Sequence, residues 1–242
     1  MSFRTKIIQL LIDVNEKIIF YPALKKFYSA ALSNKVIAVI DVGTNKGQSI
    51  DFFLKINKQA AVFGFEPNKK LFQKLKLKYY QNPRIQLFNL GVSNKCGSLV
   101  FHENILDETS SFEEVNPESV YLEKKAKVLG VNKDQLIVDS YEVGVTTLQT
   151  FLSANSNIDI DVLKIDVEGH ELQTLQGLFD GSGKNLRIRY IQLESHNDDM
   201  YLNISPGAIN DLLKENGFQE VAKFKHGFGD FYEIIYENKA TV

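Results

Sequence analysis

Apolar runs short enough for buried strands alternate along this chain with stretches whose apolar residues recur every three or four positions. The runs fall near Val36–Val42, Ala60–Phe65, Arg84–Asn89, Asp161–Asp166 and Arg187–Glu194, and their β-branched and aromatic content suits strands covered on both faces. Helical spacing separates them at Gln48–Asn57, Asn68–Tyr80, Glu168–Phe179 and Ser205–Asn216. This alternation implies a parallel sheet between two layers of helices. The chain closes differently. Gln219–Lys225 and Asp230–Glu237 are β-rich runs joined by His226-Gly227-Phe228-Gly229, the signature of a hairpin rather than a crossover. The expected fold is α/β, a doubly wound sheet made mixed by an antiparallel carboxyl-terminal hairpin.

Two segments depart from this rhythm. Ser2–Ser33 places Ile7, Leu10, Leu11, Val14, Ile18 and Ile19 on one helical face, with Arg4, Lys6, Asp13, Glu16 and Lys17 interleaved. Pro22 breaks or bends that helix before a second piece from Ala23 to Leu32. Charge interrupts it too often for a bilayer span, and its apolar runs are too short for a signal peptide. Residues 1–34 are thus expected to pack as helices on a domain spanning 35–242, with peripheral contact to a membrane surface as the alternative. From His102 to Tyr141 an insertion carries a polar Thr109-Ser110-Ser111 loop and a short helical pattern at Pro117–Leu129. Insertions of this length usually form lids or substrate walls.

Composition narrows the class. A chain of 242 residues with 28 basic and 30 acidic side chains can bury a full core, and it has no overall field to attract nucleic acid, so none is expected as a partner. Cys96 is the only cysteine. That excludes a disulfide framework or a thiolate metal cluster and fits a reducing, cytoplasmic setting.

The chemistry concentrates where strands end. Val39-Ile40-Asp41-Val42-Gly43-Thr44-Asn45-Lys46-Gly47 closes the first strand with an acid and two glycines before a helix. Glycines there let a ligand approach the main chain, and the helix start favours anionic groups. A dinucleotide fold wants G-x-G-x-x-G on this loop, and Asp41 would face the pyrophosphate. Two like charges at ~4 Å and an effective dielectric of about 20 cost roughly 4 kcal/mol. S-adenosylmethionine has no phosphate, and its ammonium can meet Asp41 while its carboxylate meets the helix start, contacting Gly43, Thr44, Asn45 and Gly47. The bland alternative is that Asp41 only caps the helix. Glu66, at the next strand's tip in Phe65-Glu66-Pro67, stands where such sheets supply the acid for both ribose hydroxyls; alternatively it is a first-turn acid on its helix. Small residues at Asn89-Leu90-Gly91-Val92-Ser93 leave room for an adenine against Val92 and Ser93, or form a simple tight turn.

A second cluster, Leu163-Lys164-Ile165-Asp166-Val167-Glu168-Gly169-His170-Glu171, puts Asp166 beside Asp41 at the sheet's switch point. Tyr190-Ile191-Gln192-Leu193-Glu194-Ser195-His196-Asn197 adds Glu194 and His196 on the same rim. Three acids and an imidazole are too polar for core packing.

These segments, together with Thr109-Ser110-Ser111 and Val145-Thr146-Thr147-Leu148, resemble the FkbM-type methyltransferases over roughly Val36 to Glu194. The resemblance implies a class I, Rossmann-like fold with a seven-stranded sheet, S-adenosylmethionine as cofactor, and O-methylation of a saccharide, glycolipid or natural-product hydroxyl. By that likeness Asp41, Gly43 and Gly47 belong to the cofactor loop, Glu66 to the ribose, and Asp166 and Glu168 to the catalytic rim. Catalytic candidates are Asp166, Glu168, Glu194 and His196, the last suited to base chemistry at neutral pH. His170 reads as a surface or dipole-capping residue, His226 as able to reach the site mouth, and His102 has no assigned role. Tyr201, Asn197, Asp198 and Asp199 are a polyol-binding or merely solvated loop. No metal is expected, although Asp166, Glu168, Glu194 and Asn197 are donors that Mg²⁺ or Ca²⁺ accepts. A nicotinamide oxidoreductase and a non-catalytic nucleoside-binding module are the rival readings.

Overall fold

The computed structural model describes residues 20–32, 37–105, 109–132, 135–180, 187–196, 200–202, 206–226 and 231–239. Its main sheet has seven strands: β1 (Ala38–Val42), β2 (Ala61–Phe65), β3 (Ile85–Phe88), β7 (Ile160–Ile165), β8 (Ile188–His196), β9 (Phe218–Lys225) and β10 (Phe231–Asn238), in the order β3-β2-β1-β7-β8-β10-β9. The first five are parallel, and β10 runs antiparallel to both β8 and β9. The expected mixed sheet with its closing hairpin is present.

Every residue of β1 and β7 is buried, as strands sandwiched by helices require. Successive side chains serve opposite faces. Val39 joins Tyr28, Ile50, Phe53, Leu75 and Tyr79 on one side, where helices α1 (Tyr21–Ala31), α2 (Gln48–Ile56) and α3 (Lys69–Tyr79) lie. Ile40 joins Leu148, Leu175, Leu178 and Leu213 on the other, under α5 (Leu148–Ala154), α6 (Glu171–Phe179) and α7 (Pro206–Glu215). Pro22 sits in the first turn of α1, where its fixed φ and missing N–H are tolerated, so a helix begins where a second helical piece was expected. The Tyr28 hydroxyl anchors α1 to the sheet by donating to Gln192 Oε1 at 2.7 Å. The amphipathic stretch expected at residues 2–19 lies outside the described residues. Among the described residues no helix is long and apolar enough to cross a membrane.

A smaller sheet, ordered β4-β6-β5, comprises β4 (Gly91–Val92), β5 (Gly97–Asn104) and β6 (Ile137–Thr146). The antiparallel pair β5 and β6 brackets the insertion, so Asn104 and Ile137 are neighbours and pin its two ends. Helix α4 (Val120–Leu129) matches the expected pattern, capped by the Ser119 hydroxyl and closed by Gly130 at φ 72°. Leu122, Ala126 and Leu136 form a satellite core with Met200 and Tyr201, just beyond β8. The insertion therefore packs beside the carboxyl ends of the central strands.

Candidate active site

Register places the acids. Val42 pairs with Phe65 on one side and Ile165 on the other, so the tips of β2, β1 and β7 are level. Gly43 and Thr44 both donate from the main chain to Phe65 O, at 3.1 and 3.0 Å. Gly43 has φ +83°, and a Cβ there would lie 1.8 Å from the Asp166 carbonyl oxygen. No other residue fits so close a crossing of β1 and β7. The turn continues through Asn45 and Gly47, both at positive φ, and a Cβ on Gly47 would strike the Tyr79 hydroxyl at 2.4 Å.

Asp41 is fully buried below this turn. The Thr44 hydroxyl donates to the Asp41 carbonyl at 3.0 Å, but neither carboxylate oxygen completes a hydrogen bond among the described residues. Burial pushes its carboxyl above the usual range, against the pull of Lys164 and the nearby Thr44 and Ser49 hydroxyls. Asp41 is thus not a helix cap; Gly47 occupies that position on α2. Two buried acceptor oxygens that complete no hydrogen bond, with the two hydroxyls only nearby, fit an ammonium-bearing ligand.

Glu66 is buried as well. Its Oε2 accepts from Asn45 N and its Oε1 from Asn68 N, both at 2.7 Å, bolting the glycine turn to the tip of β2. Asn68, not Glu66, caps α3. Asn89 Nδ2 ties the tip of β3 to Glu66 O and Pro67 O at 2.8 and 3.0 Å. Val92 and Ser93 are each only 1% exposed. They are held under β6 by Ser93 N donating to Thr146 O, and under α6 by Thr174 Oγ1 donating to Val92 O. In this conformation the half-buried Asn89 and Leu90, rather than Val92 and Ser93, present the surface of that tip.

The carboxylate rim forms as expected. One oxygen each of Asp166, Glu168 and Glu194 falls within 4.8 Å of the others. Beneath them sits Lys164, whose Nζ donates to Asp166 Oδ2 at 2.7 Å. Asp166, Glu233 and Asp41 all favour its charge, and hold its ammonium well above the ordinary range despite burial. Burial, reinforced by Glu194, Glu168 and Glu233, pushes Asp166 up against the pull of Lys164. Burial likewise raises Glu233, to which Gln192 Nε2 donates at 3.0 Å. Several acids facing one lysine make this a site with surplus negative charge, suited to a cation. The sequence motifs assign no role to Lys164 or Glu233, although a lysine inside an apolar strand is a signal for one.

Glu168 stands at φ 54° and Gly169 at φ 97°, a strained turn held from several sides. Ser111 Oγ donates to Glu168 O at 2.7 Å and accepts from Glu113 N at 2.9 Å. The Tyr201 hydroxyl lies 3.3 Å from Glu168 Oε2, and its ring covers Gly169. The Thr109–Ser111 loop and Tyr201 are therefore walls of the site.

The histidines fall out differently from expectation. His170 is buried, not a surface residue, and its side chain does not cap α6. Its Nδ1 lies 2.7 Å from Glu113 Oε1 and its Nε2 2.9 Å from Ser93 Oγ, which ties the insertion to the tip of β4. His226 reaches the rim, with Nε2 3.9 Å from Glu194 Oε1 and its ring stacked on Phe20 at 4.1 Å between centroids. The main chain of His196 pairs with Phe231; its side chain, like residues 197–199, lies outside the described residues. His102 Nδ1 meets Ser140 Oγ at 2.9 Å on the β5–β6 ribbon, and its main chain pairs with Ser111.

Residues 41–220 match the family described as Methyltransferase FkbM domain. The chain is 26% identical over 192 residues to 2-O-methyltransferase NoeI of Sinorhizobium fredii, covering 78% of this chain and 75% of that one. It is 25% identical over 201 residues to the AMB antimetabolite synthetase AmbE of Pseudomonas aeruginosa, spanning 75% of this chain but 9% of that much longer protein. The fold resembles that of magnesium protoporphyrin IX methyltransferase (ChlM) from Synechocystis PCC 6803, solved with bound SAM, at a TM-score of 0.52, 13% identity, 98% coverage of this chain and 83% of that one. The nicotinamide and non-catalytic readings give way: the chain belongs to the FkbM methyltransferase domain family, S-adenosylmethionine-dependent enzymes of class I fold.

Proposed function

We propose that this enzyme methylates a hydroxyl oxygen of a saccharide, glycolipid or natural product. The observation that carries the reading is the His226–Glu194 pair beside the Asp166–Glu168 rim, an imidazole and carboxylates of the kind that can take the proton a hydroxyl acceptor must lose. The likeness to a protein named as a 2-O-methyltransferase supports oxygen as the acceptor atom.

S-adenosylmethionine, when bound, would supply an electrophilic methyl carbon on a sulfonium, to which an acceptor oxygen aligned ~3–3.5 Å away would bond as the carbon–sulfur bond breaks and the neutral thioether leaves. Asp41 would meet the ammonium of that cofactor, Glu66 the ribose hydroxyls, and the main chain of Thr44–Gly47 its carboxylate. The surplus carboxylates at Asp166, Glu168 and Glu194 favour the cationic cofactor over its neutral product. His226 takes the acceptor proton at Nε2, and Glu194 steadies the imidazolium that forms. Tyr201 and the Thr109–Ser111 loop shield the site from water on the insertion side.

Incubation with methyl-labelled S-adenosylmethionine and a panel of oligosaccharides, glycolipids, peptides and RNA tests the reading. Label on a saccharide oxygen, located by mass spectrometry after hydrolysis, is the expected result. Label on nitrogen, or on peptide or RNA in preference to every glycan, would overturn it.

A further inference from the structure

We infer that the outward face of α3 is a docking surface for an anionic phospholipid bilayer. Charge along the chain is segregated: between Glu66 and Glu103 there are seven Lys and Arg residues and no acid, in a protein whose formal charge is −2. Most of that charge lies on α3. The helix buries Leu71, Leu75 and Tyr79, a stripe spaced by four, so the face turned away from the core is centred on Gln73, Leu77 and Tyr80. Leu77 and Tyr80 are 75% and 74% exposed, the most open large apolar side chains among the described residues. At 100° per residue, Lys69 and Lys76 flank this pair on one side and Lys70 and Lys74 on the other.

The lysines of this rim are mostly uncommitted. Lys70 meets Glu103 at 3.1 Å and Lys78 meets Asp51 at 2.7 Å. No carboxylate among the described residues pairs with Lys69, Lys74 or Lys76. Scattered exposed apolar residues are ordinary; an apolar centre inside a lysine rim, on a helix without a single acid, is not. Such a face lets a leucine and a tyrosine enter the headgroup layer while the ammonium groups stay at the phosphates. Nucleic acid would answer the lysines and leave Leu77 without a purpose. Because α3 is capped by Asn68, two residues beyond Glu66, the docked face adjoins the cofactor crevice.

The test is sedimentation of the full chain with vesicles of phosphatidylcholine, alone or mixed with phosphatidylglycerol. Binding is expected only to the anionic vesicles and is released by salt. The triple variant Lys69→Gln, Lys74→Gln, Lys76→Gln should lose partitioning by roughly fivefold per lysine, and the pair Leu77→Ser, Tyr80→Ser by at least about tenfold. All five positions are exposed, so far-UV dichroism and melting should match the parent. Failure of the parent to bind anionic vesicles overturns the inference, and so does unchanged binding in either variant, which would move the contact elsewhere on the chain. Tight capture of a single-stranded oligonucleotide, lost in the lysine variant and kept in the Leu77/Tyr80 variant, would make the partner a nucleic acid and equally overturn it.

Discussion

His226 Nε2 lies 3.9 Å from Glu194 Oε1, although the two residues come from the turn of the closing hairpin and the end of β8. Phe20 stacks on the imidazole at 4.1 Å and fixes its plane, while β10 pairs with β8 so that Glu233 faces Glu194 in register. A ring held flat against an aromatic surface and aimed at a carboxylate is organised for proton transfer. His226→Asn should lower kcat by about 10²–10⁴-fold and leave S-adenosylmethionine affinity within about twofold, since no cofactor contact is assigned to it. Steady-state rates alongside cofactor titration check this, and an unchanged kcat would return the base role to His196 or Asp166.

Gly43→Ala tests the crossing of β1 and β7. Its Cβ would meet the Asp166 carbonyl oxygen at 1.8 Å, a main-chain atom that cannot swing away, at a φ of +83°. The expected loss is about 3 kcal/mol or more in denaturant unfolding, with cofactor binding abolished. A variant as stable as the parent would show that the turn is more plastic than its geometry implies.

Lys164→Met leaves Asp41, Asp166 and Glu233 facing one another without the buried ammonium. Breaking a buried ion pair from one side costs about 3–5 kcal/mol. The penalty should depend on pH with a definite sign. The three carboxyls are raised in the folded state, so above the unfolded-state value the native protein holds more protons than the unfolded chain. Stability then falls as pH rises towards the folded-state values. Denaturant midpoints for Lys164→Met should therefore be closer to those of the parent at about pH 5 than at about pH 8; a gap independent of pH would count against the raised carboxyls.

Glu168→Asn should separate stability from activity. Asparagine adopts positive φ with less strain than glutamate, so unfolding free energy is expected to hold or rise by a few tenths of a kcal/mol. Methyl transfer should nevertheless fall, because a rim carboxylate near Tyr201 is gone. Parallel melting and activity measurements decide it.

Chelation should leave the rate unchanged. The rim carboxylates are donors a divalent ion would accept, but Lys164 already sits 2.7 Å from Asp166 and supplies positive charge there. Activity lost on exhaustive EDTA treatment and restored by Mg²⁺ would make the lysine insufficient.

The parts of this molecule legible in its sequence are those encoded locally. Strands β1 and β7 are buried on both faces and read as unbroken apolar runs, and the glycine turn lies within nine residues of its acid. Strands β5 and β6 do not stand out in the sequence because their ribbon has a solvent face, with Val100 and Val138 exposed among acids such as Glu142 and Asp139. The burial of His170 is illegible for a similar reason. Its partners Glu113 and Ser93 lie 57 and 77 positions away, and no spacing rule carries information over such distances. Val92 lies in β4 of the smaller sheet and Ser93 just after it, beyond the tip of β3 where they were expected, and their covering by β6 and α6 follows only from tertiary packing.

Calorimetry of S-adenosylmethionine binding to the parent, Asp41→Asn and Glu66→Gln tests the central claim most directly. The claim is that acidic tips of β1, β2 and β7 select a cationic, phosphate-free nucleoside. Binding to the parent should exceed that of the neutral demethylated product, weaken as pH falls through the raised value of Asp41, and drop by about tenfold or more in each variant. Equal affinity in all three proteins, or preferential binding of NADH, would contradict the account.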